Sequence, residues 1–286
     1  MRAHTLAPTS ARGRPALRAW LPLALLLALL LPSLALHAAP KADLWPRWQA
    51  HQADSEATID HAAWGRFLER YLVPGTEPAL LRYGQVSDAD RQALEDYLDA
   101  LQAVAIADYN RNEQMAYWVN LYNAATVVLV LREWPVDSIR DIKPSFFSGG
   151  PWDMDLLEVD GEALTLNDIE HRILRPIWQD PRIHYAVNCA SIGCPSLAAK
   201  PYTGARLEAM LNAGAQRYVA SARGARLEDG ELIASKIYDW FVADFGGDEA
   251  GVIAHLRKHA PESLAERLQA VKDIDDYEYD WSINAP

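Results

Sequence analysis

Two cysteines, Cys189 and Cys194, stand five positions apart in the segment His184-Tyr-Ala-Val-Asn188-Cys189-Ala-Ser191-Ile-Gly-Cys194-Pro195, and the chain has no others. Any thiol chemistry is therefore confined to that segment. Three kinds fit the pair. A disulfide across so small a loop adds little stability, because the entropy it removes from the unfolded chain shrinks with loop length. A redox-active pair is the second kind, although four residues intervene here and the usual motif has two. The third makes one thiol a nucleophile. Cys189 suits that role, since it follows an expected strand and precedes the Gly193 to Pro195 turn, and strand ends present side chains to clefts.

A cysteine nucleophile needs a base and a polar group that orients the base. His184 and His171 are the candidate bases. His184 lies on the expected strand Arg182 to Asn188, where positions five apart face opposite sides, so it meets Cys189 only if the chain turns at Asn188. His171 follows Glu170 at the start of an expected helix and can face the strand end. Asn120 is the candidate orienter, and Asn123, Glu170, Arg182, Asn188 and Ser191 are candidate binding residues. Each has a structural reading beside the functional one. The structural role of the histidines is to hydrogen-bond in the core, and that of Glu170 is to cap a helix. Asn120 and Asn123 must find partners if buried, because an unpaired amide costs about 1–3 kcal/mol. A zinc set of His171, His184 and Cys189 matches no common spacing, so neither metal nor cofactor is expected.

The compartment decides what two thiols can do. Arg2, Arg12, Arg14 and Arg18 precede an apolar run from Leu21 to Leu36 and the small residues Ala38 and Ala39, which is the order of a signal peptide. Residues 1–39 are therefore expected to be a leader for export to the periplasm or beyond. An uncleaved leader is the one expected route to a membrane, and its run is at the short limit for spanning. The leader holds four arginines and no acid, so its removal makes the net charge of −12 more negative still. So acidic a chain repels phosphate backbones, and no basic stripe interleaves with aromatics; nucleic acid is not an expected partner. A small molecule or a peptide is.

The elements that must position these residues are mostly helices. Trp64, Phe67, Leu68 and Tyr71 recur at helical spacing in His61 to Leu72, and Ser87 is the cap of a second helix carrying Leu94, Tyr97, Leu98, Leu101 and Val104. A third helix runs from Asn112 to Glu133, and its centre, Met115 to Leu131, has no charge. Interrupted by Asn120 and Asn123, it reads as buried in a globular core rather than in lipid. Asp160-Gly161 turns a hairpin. Asn167 and Glu170 then have capping-box spacing for a helix with Ile169, Ile173 and Leu174 inside. Further helices are expected over Thr203 to Ala222, Ser235 to Phe245, Glu249 to His259 and Pro261 to Val271, with a second hairpin turning at Asp229-Gly230. The ending alternates acids with Tyr277, Tyr279 and Trp281, the pattern of a half-buried strand docking its aromatics.

Three of these stretches resemble, in order, the domain of unknown function 547 family. They are Tyr117-Trp118-Val-Asn120-Leu-Tyr122-Asn123-Ala124, the run Leu164 to Arg175 with Asp168-Ile-Glu170-His171, and Asp180-Pro181-Arg182-Ile-His184 through Cys189 to Cys194-Pro195. The resemblance covers about Asn112 to Gly246, and Tyr279-Asp280-Trp281-Ser-Ile-Asn284 also looks like bacterial members. It implies an α+β fold, mainly helical with a small antiparallel sheet in one domain, loosely similar to papain and transglutaminase folds. Residues 40–110 would be an N-terminal helical region and 111–286 the family domain with its C-terminal helices and tail. In those folds the cysteine rides on the long helix, near where this chain has Asn120. The leading expectation is an exported cysteine-dependent hydrolase or acyl transferase. The alternative is a non-catalytic binding domain pinned by a Cys189–Cys194 disulfide.

Overall fold

The described residues of this computed structural model are Met1, 40–145 and 148–286, so the expected leader lies outside them. Helix α1, Ala62–Tyr71, buries the stripe Trp64, Phe67, Leu68 and Tyr71. Helix α2, Asp88–Gln102, starts on Ser87, whose hydroxyl accepts the Asp90 N–H, and buries Leu94, Tyr97, Leu98 and Leu101. Helix α3, Arg111–Glu133, is capped by Asn110, whose side chain accepts the N–H groups of Asn112 and Glu113. Every residue from Glu113 to Leu131 is buried. A helix without a polar face has to be wrapped on all sides, and α3 is the spine of the larger core. Burying a large side chain such as its Trp118 stabilises by roughly 2–3 kcal/mol relative to exposure. Among the described residues no helix is long and apolar enough to cross a membrane.

Strands β1, Leu157–Val159, and β2, Glu162–Leu164, form the first hairpin, with Asp160 at φ 51° and Gly161 at φ 74° in its turn. The helix after it departs from expectation. Thr165 and Asp168 make the reciprocal cap, at 2.7 Å between side chains and 3.0 Å for each backbone bond, whereas the Asn167 side chain caps nothing. Glu170 is thereby released from capping and is buried. Asp168–Leu174 is a π-helical stretch that runs into α4, Arg175–Trp178; such widened turns concentrate at functional sites.

The expected strand from Arg182 to Asn188 is not formed. Pro181–Tyr185 is a 3₁₀ helix: Pro181 occupies its first turn, the Asp180 carboxylate accepts the Arg182 N–H, and the N–H groups of Ala186 and Val187 return to Ile183. A proline with φ already set, behind a capping aspartate, outweighs the apolar pattern.

Helix α5, Leu207–Ala220, follows a 3₁₀ turn at Gly204–Arg206. Strands β3, Ala225–Glu228, and β4, Glu231–Ser235, make the second hairpin around Asp229-Gly230. Helix α6, Lys236–Trp240, ends earlier than its apolar pattern suggests. Helices α7, Glu249–His259, and α8, Glu262–Arg267, close the second core. Strand β5, Asp276–Glu278, pairs parallel to β4. The fold is α+β as expected, mainly helical, but its second sheet is mixed rather than antiparallel. The cysteine segment lies on the seam of the two cores, since Tyr185 packs in one and Ala186 and Val187 in the other.

Candidate functional site

The cysteine loop is built by a chain of asparagines. Asn123, on α3, donates to the Ala186 carbonyl at 2.9 Å and accepts the Asn188 N–H at 2.8 Å. Asn188 in turn donates to the Pro195 carbonyl at 2.7 Å and accepts the Ala190 N–H at 2.9 Å. Ala190 sits at φ 58°, a left-handed conformation that costs a residue with a Cβ about 1 kcal/mol or more. Strain of that kind persists only where the surroundings hold it. Tyr218 donates to the Gly193 carbonyl at 2.7 Å, and Arg223 donates to the carbonyls of Ile192 and Cys194.

The result is a tight return that brings the two sulfurs 3.0 Å apart, with the Cys189 N–H also 3.0 Å from the Cys194 sulfur. Cys189 is partly exposed and Cys194 buried; both are free thiols. Two hydroxyls complete the ring around Cys189 Sγ: Ser191 Oγ at 3.2 Å and Tyr279 OH at 3.1 Å, themselves 2.9 Å apart. The hydrogen bond with Cys194 favours the Cys189 thiolate, burial opposes it, and the hydroxyls of Ser191 and Tyr279 add to the first effect, so that the Cys189 thiol is brought down to about 7. Burial and the neighbouring Cys189 push the Cys194 thiol up. The two thiols are thereby inequivalent, that of Cys189 drawn down and that of Cys194 pushed up.

Tyr279 reaches the loop because the C-terminal tail is strapped across it. Ile192 N–H donates to Ser282 at 2.8 Å, Gly193 N–H to Asp280 at 2.7 Å, and Asn284 N–H to Ala190 at 3.0 Å. Tyr279 and Trp281 also pack at a tilt against Trp240, at 4.9 and 5.5 Å between ring centres. The tail thus docks its aromatics as the alternation implied. Gly193 is required by this strap, because a Cβ there would stand 2.7 Å from Asp280 N and 2.9 Å from Tyr279 Cδ1. Gly193→Ala is expected to loosen the tail at a cost of about 1–3 kcal/mol and to speed alkylation of Cys189. An unchanged melting temperature and labelling rate would contradict the strap's role.

The histidines lie in a second cluster. His184 Nε2 donates to Asp244 Oδ2 at 2.7 Å, and its Nδ1 is 3.4 Å from Glu170 Oε1. The ring is buried and stacked on Phe241, 4.1 Å between centres. Arg175 Nε donates to the same Asp244 oxygen at 2.6 Å, and its Nη1 donates to the Pro40 carbonyl at 2.7 Å and to His171 Nδ1 at 3.0 Å. Both ring nitrogens of His184 face carboxylate oxygens. Among the described residues no histidine is a hydrogen-bond partner of Cys189 Sγ.

Asn120 is placed away from both clusters. It donates to the Tyr202 carbonyl at 2.8 Å and accepts the Tyr202 N–H at 3.0 Å, which ties α3 to the chain before α5. Arg182 clamps Asp180, Glu208 and Asn212. Of the expected site residues, the structure joins Cys189, Ser191, Asn188 and Asn123 in one place and His184, His171 and Glu170 in another. Tyr279, Asp244 and Arg175 are the participants that sequence reasoning missed. Alternation in the tail hinted at Tyr279, whereas nothing in the stretch Phe241 to Phe245 singles out Asp244.

In the histidine cluster two carboxylates face one imidazolium and one guanidinium, so the buried charges balance. Burial pushes Glu170 up, but its neighbours His171, His184 and Arg175 hold it below the usual carboxylate range. Asp244 is held well below the usual carboxylate range by bonds from His184 and Arg175 that outweigh burial. Burial lowers His184, yet Asp244 and Glu170 more than compensate and raise it above 6.5. Burial lowers His171, consistent with a neutral ring that accepts from Arg175. The signs set a stability window. The carboxylates contribute fully above their ordinary value near 4.5 and lose that contribution as pH falls toward 2; His184 contributes fully below 6.5 and loses it as pH rises through its raised value. The melting temperature is expected to be highest between about pH 5 and 6.5 and to fall on both sides. A melting temperature flat from pH 5 down to 2 would contradict this pairing.

Among the described residues no group of three or more His, Cys, Asp or Glu side chains could hold a metal ion. Residues 106–219 match the family described as Protein of unknown function, DUF547. No curated protein and no solved structure matches the chain. The matched segment contains both cysteines, His184, Glu170 and Arg175. It ends before Asp244 and Tyr279, so each cluster is completed by a residue from outside it.

Proposed function

We propose, taking the chain as carrying a DUF547 domain of unknown function, that it works by thiol–disulfide exchange at Cys189 and Cys194. One observation carries the reading: the two sulfurs lie 3.0 Å apart, that of Cys189 on a partly exposed residue and that of Cys194 on a buried one. The Cys189 thiolate attacks one sulfur of a partner disulfide, forming a mixed disulfide and expelling a partner thiolate. Cys194 then gives its proton to the departing thiolate and attacks Cys189 Sγ, breaking the mixed disulfide and releasing the second partner sulfur as a thiolate, which takes a proton from water. The partner disulfide is reduced by two electrons, and Cys189 and Cys194 are oxidised to a disulfide; the reverse oxidises a dithiol. Attack depends on the thiolate fraction, and a thiol near 7 is about half ionised at pH 7 where an ordinary one is a few per cent. The order of basic, apolar and small residues in the leader supports export to an oxidising compartment, where such a pair can cycle.

Acyl transfer or hydrolysis at the same thiol is the second reading, favoured by the two hydroxyls beside Cys189 Sγ. It needs a base, and both ring nitrogens of His184 are engaged by carboxylates, which is why exchange is preferred. The reduced protein should be alkylated by iodoacetamide with a rate that rises through a midpoint near pH 7 and disappears in Cys189→Ser. A reduced protein whose thiols react only after unfolding would overturn the proposal and leave the pair as a structural staple. Release of a leaving group from acyl substrates by wild type but not by Cys189→Ser would favour the second reading.

A further inference from the structure

Beyond Cys194 the chain continues as Ser196-Leu-Ala-Ala-Lys200-Pro-Tyr202 and runs along helix α5, leaving between them a cleft of about 240 Å3. Arg206, Met210, Gly214 and Arg217 line one wall, at the three- and four-residue spacing that puts them on one helical face. Gly214 lets the helix approach the chain beneath, since a Cβ there would stand 3.3 Å from the Tyr185 carbonyl oxygen. Buried Tyr202 contributes to the apolar lining with Met210, and Lys200 stands on the wall opposite the helix.

The charged residues lining this cleft are all of one sign. The chain has 39 acidic residues against 27 basic ones, yet no carboxylate lines the cleft. Arg175, Arg182, Arg223 and Arg226 are each paired with an aspartate or glutamate. Lys200, Arg206 and Arg217 are exposed, and none of them makes an ion pair or a side-chain hydrogen bond among the described residues. Arg206 and Arg217 bracket the helix, about 16 Å apart along its axis. Three unpaired cations rim the concavity, so their summed field favours an anion that enters it. An apolar body attached to that anion covers the Met210 and Gly214 stretch.

We propose that this cleft is a binding site for a small organic anion, a phosphate ester or carboxylate with an apolar body. The proposal does not rest on thiol exchange, and its test uses the Cys189→Ser protein so that the two are read separately. Isotope-labelled protein is titrated with phenyl phosphate, benzoate and inorganic phosphate while the amides of Ala198, Ala199 and Gly214 are followed by NMR. Saturable shifts at those amides are expected, with a dissociation constant of about 1 mM or tighter for at least one aromatic anion and weaker binding of inorganic phosphate. Which of phenyl phosphate and benzoate binds more tightly identifies the headgroup. The pair of substitutions Arg206→Gln and Arg217→Gln should weaken binding at least about tenfold without changing the melting temperature. Lys200→Gln should also weaken it, and Lys272→Gln, on another surface, should not. Shifts that fail to saturate, inorganic phosphate binding as tightly as the aromatic anions, or equal losses in Lys272→Gln and the double variant would each overturn the proposal.

Discussion

Replacing Cys194 with alanine is expected to leave a protein that attacks disulfides and cannot finish the reaction. Incubated with oxidised glutathione, Cys194→Ala should accumulate a stable mixed disulfide at Cys189, visible by mass as one added glutathione, whereas wild type passes to an internal disulfide with the loss of two hydrogens. In the proposed exchange the buried thiol 3.0 Å away resolves the adduct. The same substitution removes the largest influence holding the Cys189 thiol down. Its alkylation midpoint should move up from about 7, and each unit of movement means a tenfold change in the balance of thiol and thiolate. Cys189→Ser, by contrast, should form no adduct, because the thiol that remains is buried and its pKa is raised. Equal adduct formation by the two variants would remove the asymmetry on which the proposed mechanism depends.

Arg175→Met is expected to cause the largest loss of stability of any single change outside the hydrophobic cores. The guanidinium side chain is 5% exposed, bonds Asp244, His171 and the Pro40 carbonyl, and lies over the Phe241 ring. Its removal leaves Glu170 and Asp244 facing His184 alone, a net buried negative charge. Breaking a buried pair in this way costs about 3–5 kcal/mol. At about 2–4 °C per kcal/mol for a chain of this size, the melting temperature should fall by roughly 10 °C. Asp244→Asn introduced into the Arg175→Met protein restores the charge balance and should recover part of the loss. If the two substitutions prove additive, the charge count is not what holds this cluster together.

The local signals in the sequence carried much of this fold and little of its site. The charge-free stretch Met115 to Leu131 can be satisfied only by burial, so α3 was legible, as were Ser87 as a cap and both Asp-Gly turns. Two local expectations failed because a nearer signal competed with them. Thr165 and Asp168 took the cap assigned to Asn167 and Glu170, and Pro181 behind Asp180 turned an apolar run into a 3₁₀ helix. Of the candidate residues, Cys189, Ser191, Asn188 and Asn123 do meet. The expected partnership of Cys189 with His184 rested on proximity in sequence, but His184 is held by Asp244, sixty positions further on. Tyr279 stands ninety positions from the thiol it touches. Contacts of that range are made by the docking of the tail and of the chain after α6, and no local pattern announces which side chain will arrive.

The redox equilibrium of the two cysteines bears most directly on the proposed function. Folded protein would be equilibrated in glutathione buffers of graded potential, quenched with an alkylating reagent and weighed intact. A reversible two-electron transition between a doubly alkylated form and one lacking two hydrogens, reached from both directions and abolished in Cys189→Ser, is the expected result. Thiols that stay reduced in every buffer, or a disulfide that opens only when the protein is unfolded, would contradict it.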